Sequence, residues 1–353
     1  MEYILNDVLE IKNGKNQKAV ENSEGQYPIY GSGGVIGYAD DYICDADTVV
    51  IGRKGSINNP IYVSEPFWNV DTAFGLVARR EVLLPRYLFY FCKKFDFEKL
   101  NKTVTIPSLT KSDLLNIKIK LPDIDEQQLV VDKLIRIESV MEFRKQELNV
   151  LDNLIKARFV ELFDGKYPED TLLNLCNIVD YRGKTPEKVE HGLPFITAKN
   201  VKMHHMTLEP REYISKETYD KVMVRGFPKE GDVVFTTEAP LGNVCRIPHF
   251  DTEFYIGQRI VTMQTDALNP TYLEYALSDE EFVRKYMGKS SGSTVTGIRV
   301  RLLQQLTIPV PARTLQDEFS TFVNQVDKSK VAVQKALDET QMLFDSLMQK
   351  YFA

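Results

Sequence analysis

The stretch Thr105-Ile106-Pro107, continued by Ile117-Lys118-Ile119-Lys120-Leu121-Pro122 and then Gln127, recurs 189 residues later as Thr294-Val295-Thr296, Leu306-Thr307-Ile308-Pro309-Val310-Pro311 and Gln316. Each copy runs into a long polar segment with helical spacing. Those segments also end alike, in Leu151-Asp152-Asn153-Leu154 … Phe159 and Phe344-Asp345-Ser346-Leu347 … Phe352. A tandem duplication of this size builds a molecule with an approximate twofold axis. Two like heads suit a ligand that is itself nearly twofold, and duplex DNA is the commonest such ligand. Duplication with no symmetric partner is the plainer reading, and the repeat alone leaves both open.

The long segments carry seams. After Pro122, Asp123 with Glu126 three residues on has capping-box spacing and starts a helix. Apolar residues follow at Val130, Leu134, Ile137, Met141, Leu148, Leu151, Ile155, Phe159 and Leu162, a heptad pattern broken only at Arg144. Gly165 and Pro168 end it. The second copy begins after Pro311, with Thr314 and Asp317 in the capping positions. Its seam runs Phe319, Phe322, Val326, Val333, Leu337, Phe344, Leu347 and Tyr351, with Lys330 and Thr340 at seam places. A lone helix with one apolar stripe needs a partner. The other copy supplies it, and the folded segment between them lets the chain return antiparallel. Two separate surface helices are the alternative.

Before the first helix, residues 1–122 read as strands broken by glycine turns. Tyr27-Pro28-Ile29-Tyr30-Gly31-Ser32-Gly33-Gly34 is turn-rich. Thr48-Val49-Val50-Ile51 is a short β-branched strand stopped by Gly52 and Gly55. Pro85-Arg86-Tyr87-Leu88-Phe89-Tyr90-Phe91 reads as a buried helix with an aromatic face.

The net charge of −6 is poor for a nucleic-acid binder. Its distribution softens the objection. Residues 123–164 hold 6 basic and 10 acidic side chains, whereas residues 1–122 hold 15 of each and residues 165–311 hold 18 and 19. The non-helical parts are thus near neutral and bind DNA weakly by themselves, which points to a basic partner. No apolar run approaches the roughly 20 residues that span a bilayer, and the start lacks the regions of a signal peptide. Cys44, Cys92, Cys176 and Cys245 are scattered, as in a reduced, cytoplasmic protein.

Enzyme motifs are missing. Gly31 to Gly37 lacks the spacing of a dinucleotide loop, and Gly14-Lys15 lacks the upstream glycine of a phosphate loop. Asn59-Pro60-Ile61-Tyr62 is one proline short of the catalytic Asn-Pro-Pro-Tyr of amino-methyltransferases and has no cofactor loop beside it. The four histidines show no zinc spacing, and His204-His205 reads as a solvated pair. What remains is polar and loop-borne: Arg53, Lys54 and Ser56 after one strand, Thr236 and Thr237 after the matching one, then Tyr181, Arg182, Lys184, Lys199, Asn200, Gln258, Arg259, Ser293 and Thr294. Arg can grip guanine and Asn or Gln adenine, while Lys, Ser and Thr suit phosphates. Ordinary surface turns are the competing reading of each.

In their order these pieces resemble the specificity subunit of type I restriction-modification systems. The first half matches through Tyr27 to Gly37 and Ile51-Gly52-Arg53-Lys54-Gly55-Ser56. The second matches through Tyr181 to Pro186, Pro194-Phe195-Ile196 and Gly231-Asp232-Val233-Val234-Phe235, and both helix entries match. The resemblance implies an α+β fold with two mixed α/β target-recognition domains, residues 1–122 and 165–311. Two long antiparallel coiled-coil helices, residues 123–164 and 312–353, would join them as a pseudo-twofold repeat. It implies a non-catalytic prokaryotic subunit that reads a bipartite site in double-stranded DNA. Two modification subunits, which bind S-adenosylmethionine and methylate adenine, would dock on the helices, and restriction subunits can join. The targeting subunit of a fused cleavage-methylation system, a degenerate methyltransferase and a coiled-coil adaptor are the alternatives. Leu315 precedes Gln316 where the first copy has Glu126, the second helix stops at Ala353, and the helices differ by a four-residue offset.

Overall fold

Strand Thr48–Gly52 is buried at every position, which is why its sequence is a continuous β-branched run rather than an alternating one. It is a central strand of a four-stranded antiparallel sheet, flanked by Ala73–Ala78 and Ile61–Val63, with Leu9–Asn13 outside Ala73–Ala78. The same sheet is built again later. Val233–Thr236, buried throughout, lies between Ile260–Gln264 and Val244–Arg246, with Asn177–Asp180 outside. This computed structural model describes residues 1–103, 106–165, 167–181, 183, 186–290 and 297–353. The chain divides into two units, residues 1–146 with 334–353, and residues 147–333.

A smaller three-stranded sheet also occurs in each unit. In the first, Tyr27–Gly31 pairs antiparallel with Gly34–Ala39 and parallel with Trp68–Asn69. In the second, Leu193–Ile196 pairs antiparallel with Tyr213–Ile214 and parallel with Tyr255–Ile256. The stretch from Tyr27, expected to be mostly turn, is therefore a hairpin whose loop is only Ser32 and Gly33. Ile29 and Trp68 are buried in it, so side-chain burial wins over the turn propensity of its glycines. Glu2–Ile4 pairs with Lys118–Lys120, and Glu169–Thr171 with Thr307–Pro309. Each of these two-stranded pairs brings the start of a sheet module beside its end.

The long helices span Ile124–Phe163 and Arg313–Phe352, 40 residues each, or about 60 Å. The Glu126 amide donates to Asp123 Oδ1 at 2.8 Å, as the capping spacing predicts. The expected second cap differs. The helix already starts at Arg313, so Thr314 lies inside the first turn. Asp317 Oδ1 instead accepts from the Asn269 side-chain Nδ2 at 2.7 Å and from the Arg313 Nε at 2.9 Å. Gly165, at φ +60, follows the first helix and stops it.

Within the second unit the helices run antiparallel. Arg158 pairs with Glu318 at 3.1 Å, while Asp152 pairs with Lys330 at 2.6 Å. That contact explains a lysine at a seam position. Leu134, Ile155, Phe159, Val326 and Phe344 are buried, and Ile137, Met141, Leu151 and Leu347 pack partly against the cores. Leu148, Val333 and Leu337 are only half-buried. Buried seam positions are thus those that a sheet module covers. The first unit's core joins Leu88, Tyr90, Val130 and Leu134 to Phe344 and Met348. The second joins Ile155, Phe159 and Phe163 to Tyr272, Phe319 and Val323.

Two buried glutamines fasten the helices to the modules. Gln127 Oε1 accepts the Leu84 amide at 2.9 Å, and its Nε2 donates to the carbonyls of Val82 and Pro122. Gln316 Oε1 accepts the Asn269 amide at 2.7 Å, and its Nε2 donates to Pro311. Leu84 and Asn269 are the N-caps of the equivalent helices Pro85–Lys94 and Pro270–Ser278. Each glutamine therefore satisfies a helix-end amide that has no partner in its own helix.

Candidate nucleic-acid interface

The end of strand Thr48–Gly52 is held on both sides. The Arg53 amide donates to Thr72 at 2.8 Å, the Leu109 amide donates to Arg53 at 2.9 Å, and Lys54 bridges to Ser108. The second unit repeats this bond for bond. The Thr237 amide donates to Arg259 at 2.9 Å, the Ile298 amide to Thr237 at 2.9 Å, and Glu238 bridges to Gly297. Backbone pairing thus equates Arg53 with Thr237, Lys54 with Glu238, and Thr72 with Arg259.

Beyond that anchor the first loop turns outward. A Cβ on Gly52 would lie 2.4 Å from the Ser56 carbonyl and 2.9 Å from Ser32, so only glycine lets the loop fold back over the hairpin tip. Arg53, Lys54, Gly55 and Ser56 are all exposed. The nearby carboxylates do not take them. Asp45 pairs with Lys12, and Asp47 with Arg80. The Tyr62 hydroxyl, and then Arg80, hold Asp47 below the usual carboxylate range. Among the described residues, Arg53 reaches only the Asp71 carbonyl at 3.5 Å and the Phe74 ring at 5.7 Å. Its guanidinium keeps most of its donors toward solvent, the condition for gripping a base or a phosphate.

In the second unit the equivalent place is a cleft of about 240 Å³, with Lys188, Lys199, Gln258 and Arg259 on its wall. Lys199 and Arg259 are exposed and Gln258 is half-buried. Arg259 lies 3.5 Å from Glu238, and Lys188 2.7 Å from Glu212. Three residues singled out from the sequence are therefore together, although 59 or more positions separate Lys199 from the other two. Among the described residues no histidine, cysteine, aspartate and glutamate grouping could hold a metal ion. All four cysteines are buried and free.

Residues 1–153 match the family model described as type I restriction modification DNA specificity domain. A curated relative, the type I restriction enzyme MjaVIII specificity subunit of Methanocaldococcus jannaschii, is 24% identical over 83% of this chain and 74% of its own length. The crystal structure of the type I S subunit from M. genitalium superposes with a TM-score of 0.61 at 16% identity, covering 100% of this chain and 96% of that one. A chain from a study of complex assembly and conformational transition of the type I R-M system also gives 0.61, at 19% identity, with 100% and 97% covered. Residues 1–153 thus match a type I specificity domain, and the chain as a whole is similar to type I specificity subunits in sequence and fold.

Four expected contact residues turn out to hold the fold. Tyr181 is 2% exposed, and its hydroxyl donates to the Gly226 carbonyl while its ring packs on Tyr255. Asn200 is 1% exposed. Its Oδ1 accepts from the amide and hydroxyl of Thr197, and its Nδ2 donates to Thr207 and Pro210. Thr236 and Thr237 are fully buried, their hydroxyls donating to the Pro240 and Arg259 carbonyls. Such side chains satisfy backbone groups and have no reach into a groove. Arg182, Lys184, Ser293 and Thr294 lie outside the described residues. His204 also departs from the solvated pair expected. It stacks on Tyr275 at 4.3 Å, with Nδ1 3.0 Å from the buried Glu274; His205 alone is exposed. Sequence reasoning missed Lys188 and Glu238. The one signal for Glu238 is its place at the end of the run Thr236-Thr237-Glu238 after the strand.

Proposed function

We propose that this chain is the non-catalytic DNA-reading subunit of a type I system. Its two modules would each read one half of a bipartite duplex site, and its helices would dock modification subunits. One observation carries the reading. The same backbone anchor is built twice, at Arg53 and at Thr237, and each presents exposed cations beside it. The anchors are fixed by backbone hydrogen bonds and exposed charged side chains stand beside them, the division of labour that groove recognition needs. The lack of motifs for a cofactor loop or nucleophile supports a chain that targets chemistry done elsewhere. S-adenosylmethionine is then expected in the partner modification subunit. No helix among the described residues is long and apolar enough to cross a membrane.

The test is to map adenine methylation in the host genome with and without this gene. Loss of one split motif, restored by the gene in trans, is the expected result. An unchanged methylome in a host that expresses the modification subunit would overturn the reading. Affinity of the isolated chain for S-adenosylmethionine would favour a degenerate methyltransferase instead.

A further inference from the structure

The two modules share one anchor but not one charge pattern. In the first unit the position after the anchor is Lys54, and the position across the backbone bond is Thr72. In the second unit these are Glu238 and Arg259. The second unit thus puts a carboxylate where the first has an ammonium. A carboxylate on a surface that meets DNA costs affinity through phosphate repulsion unless a base donates to it. Cytosine N4 is the major-groove donor that carboxylates accept from, and guanine O6 and N7 are the acceptors that arginine grips.

The geometry of Glu238 matches such a use. Its backbone bridges to Gly297, and the Thr237 amide just before it donates to the Arg259 carbonyl. A Cβ on Gly297 would lie 3.1 Å from Glu238 Cγ, so the absent side chain leaves room for the glutamate stem. Its side chain remains about one-third exposed, with the carboxylate 3.5 Å from the Arg259 Nε. Arg259 lines the cleft that carries Lys199 and Gln258, and so does Ala239, the residue next to Glu238. One acceptor and one bidentate donor, held side by side, are the complement of a single C·G pair.

We infer that Glu238 and Arg259 together read one C·G base pair in the half-site of the second unit, Glu238 accepting from cytosine N4 and Arg259 donating to guanine. This rests on the DNA-reading function proposed above. The first unit, with Lys54 and Thr72 in those places, has no such pair.

The experiment uses the full chain assembled with its modification subunits. Binding is titrated on the matched duplex and on duplexes with each base pair of both half-sites replaced, for wild type, E238Q, E238A and R259A. Both Glu238 variants and R259A should flatten discrimination at the same position, a C·G pair of the second half-site, by about 5- to 150-fold. The first half-site should keep its preferences. Relaxation at different positions, or at an A·T pair, overturns the inference. So does uniform tightening by E238A on all sequences, which would make Glu238 only a repulsive charge. Uniform weakening by E238Q with the base ranking kept would make it a positioning residue for Arg259, and overturns it as well. A wild-type complex that binds no duplex would instead remove the DNA-reading function itself.

Discussion

At the scale of single residues, Gln127 and Gln316 show how little of a motif's meaning lies in its neighbours. Both mark the helix entries in sequence. What they do is visible only across the fold, because Gln127 serves the Leu84 amide 43 positions away. Substituting Gln127 by Leu takes that partner from the Leu84 amide and from the Val82 and Pro122 carbonyls. The expected cost is about 1–3 kcal/mol for each group that water does not reach, read as a lower urea midpoint with unchanged slope. An unchanged midpoint would show that water replaces the amide. The loop residues divide along the same line. Arg53→Ala should cost about 1–3 kcal/mol and relax one position of the first half-site. Lys54→Ala should weaken all sequences alike and lower the salt slope by about one unit. Tyr181→Phe, by contrast, should lower stability by about 1 kcal/mol and leave sequence preference alone. A changed methylation motif in Tyr181→Phe, or wild-type binding in both loop variants, would reverse these assignments. The exposed cations were legible because glycines flank them. Tyr181 and Asn200 were not, because a polar side chain that caps a turn and one that meets a ligand have the same composition.

At the scale of elements, the helices were the most legible part, since a 3.5-residue repeat survives any tertiary detail. Their burial was not. Leu134 and Ile155 are fully buried, whereas Leu148, on the same stripe, is half-exposed. The stripe records which face is apolar; only the sheet modules decide where a third layer closes over it. Ile155→Asp should therefore unfold or strongly destabilise the second unit, by several kcal/mol, since it leaves a charge in the aromatic core without a partner. Leu148→Asp should cost much less, because its carboxylate can reach water. Thermal melts of the two variants check this, and equal losses would mean that the stripe is packed evenly along its length. The strands were legible in part. Thr48–Gly52 and Val233–Thr236 stand out as apolar runs. The repeat is hidden where the two modules solve one packing problem differently. Tyr62 meets Phe89 edge-on at 5.9 Å in the first unit. The ladder and the helix starts put Arg246 and Glu274 in those places in the second, bonded at 2.6 Å. Glu274 is 1% exposed. An aromatic pair and a satisfied ion pair occupy similar volume, yet share no sequence signal.

At the scale of the whole chain, the repeat was legible in its order, sheet, helix, sheet, helix, but the units do not follow that order. The first unit is completed by residues 334–353, the end of the second helix. Phe352 packs on Tyr87 at 4.8 Å and Phe344 faces Tyr90 at 6.4 Å, with Met348 in the same core. Exchange of residues 1–122 for another family member's first domain should change one half of the methylated motif and spare the other, provided the incoming domain keeps aromatic partners for Phe344 and Phe352. A motif changed in both halves would contradict modular reading. Deletion of residues 334–353 is the sharper probe. It strips Phe344 and Met348 from a closed core, and losses of buried side chains that size cost about 2–5 kcal/mol each. Together they rival the 5–15 kcal/mol that holds an ordinary domain. The remote first unit should therefore lose its fold while the second, which contains the cut helix's own beginning, stays intact. Hydrogen exchange reads the difference strand by strand. Amides of Thr48–Gly52 and Ala73–Ala78 should lose protection, and those of Val233–Thr236 and Ile260–Gln264 should keep it. Equal loss in both sets would mean that the units unfold as one, and equal retention would mean that the first unit does not depend on the end of the chain.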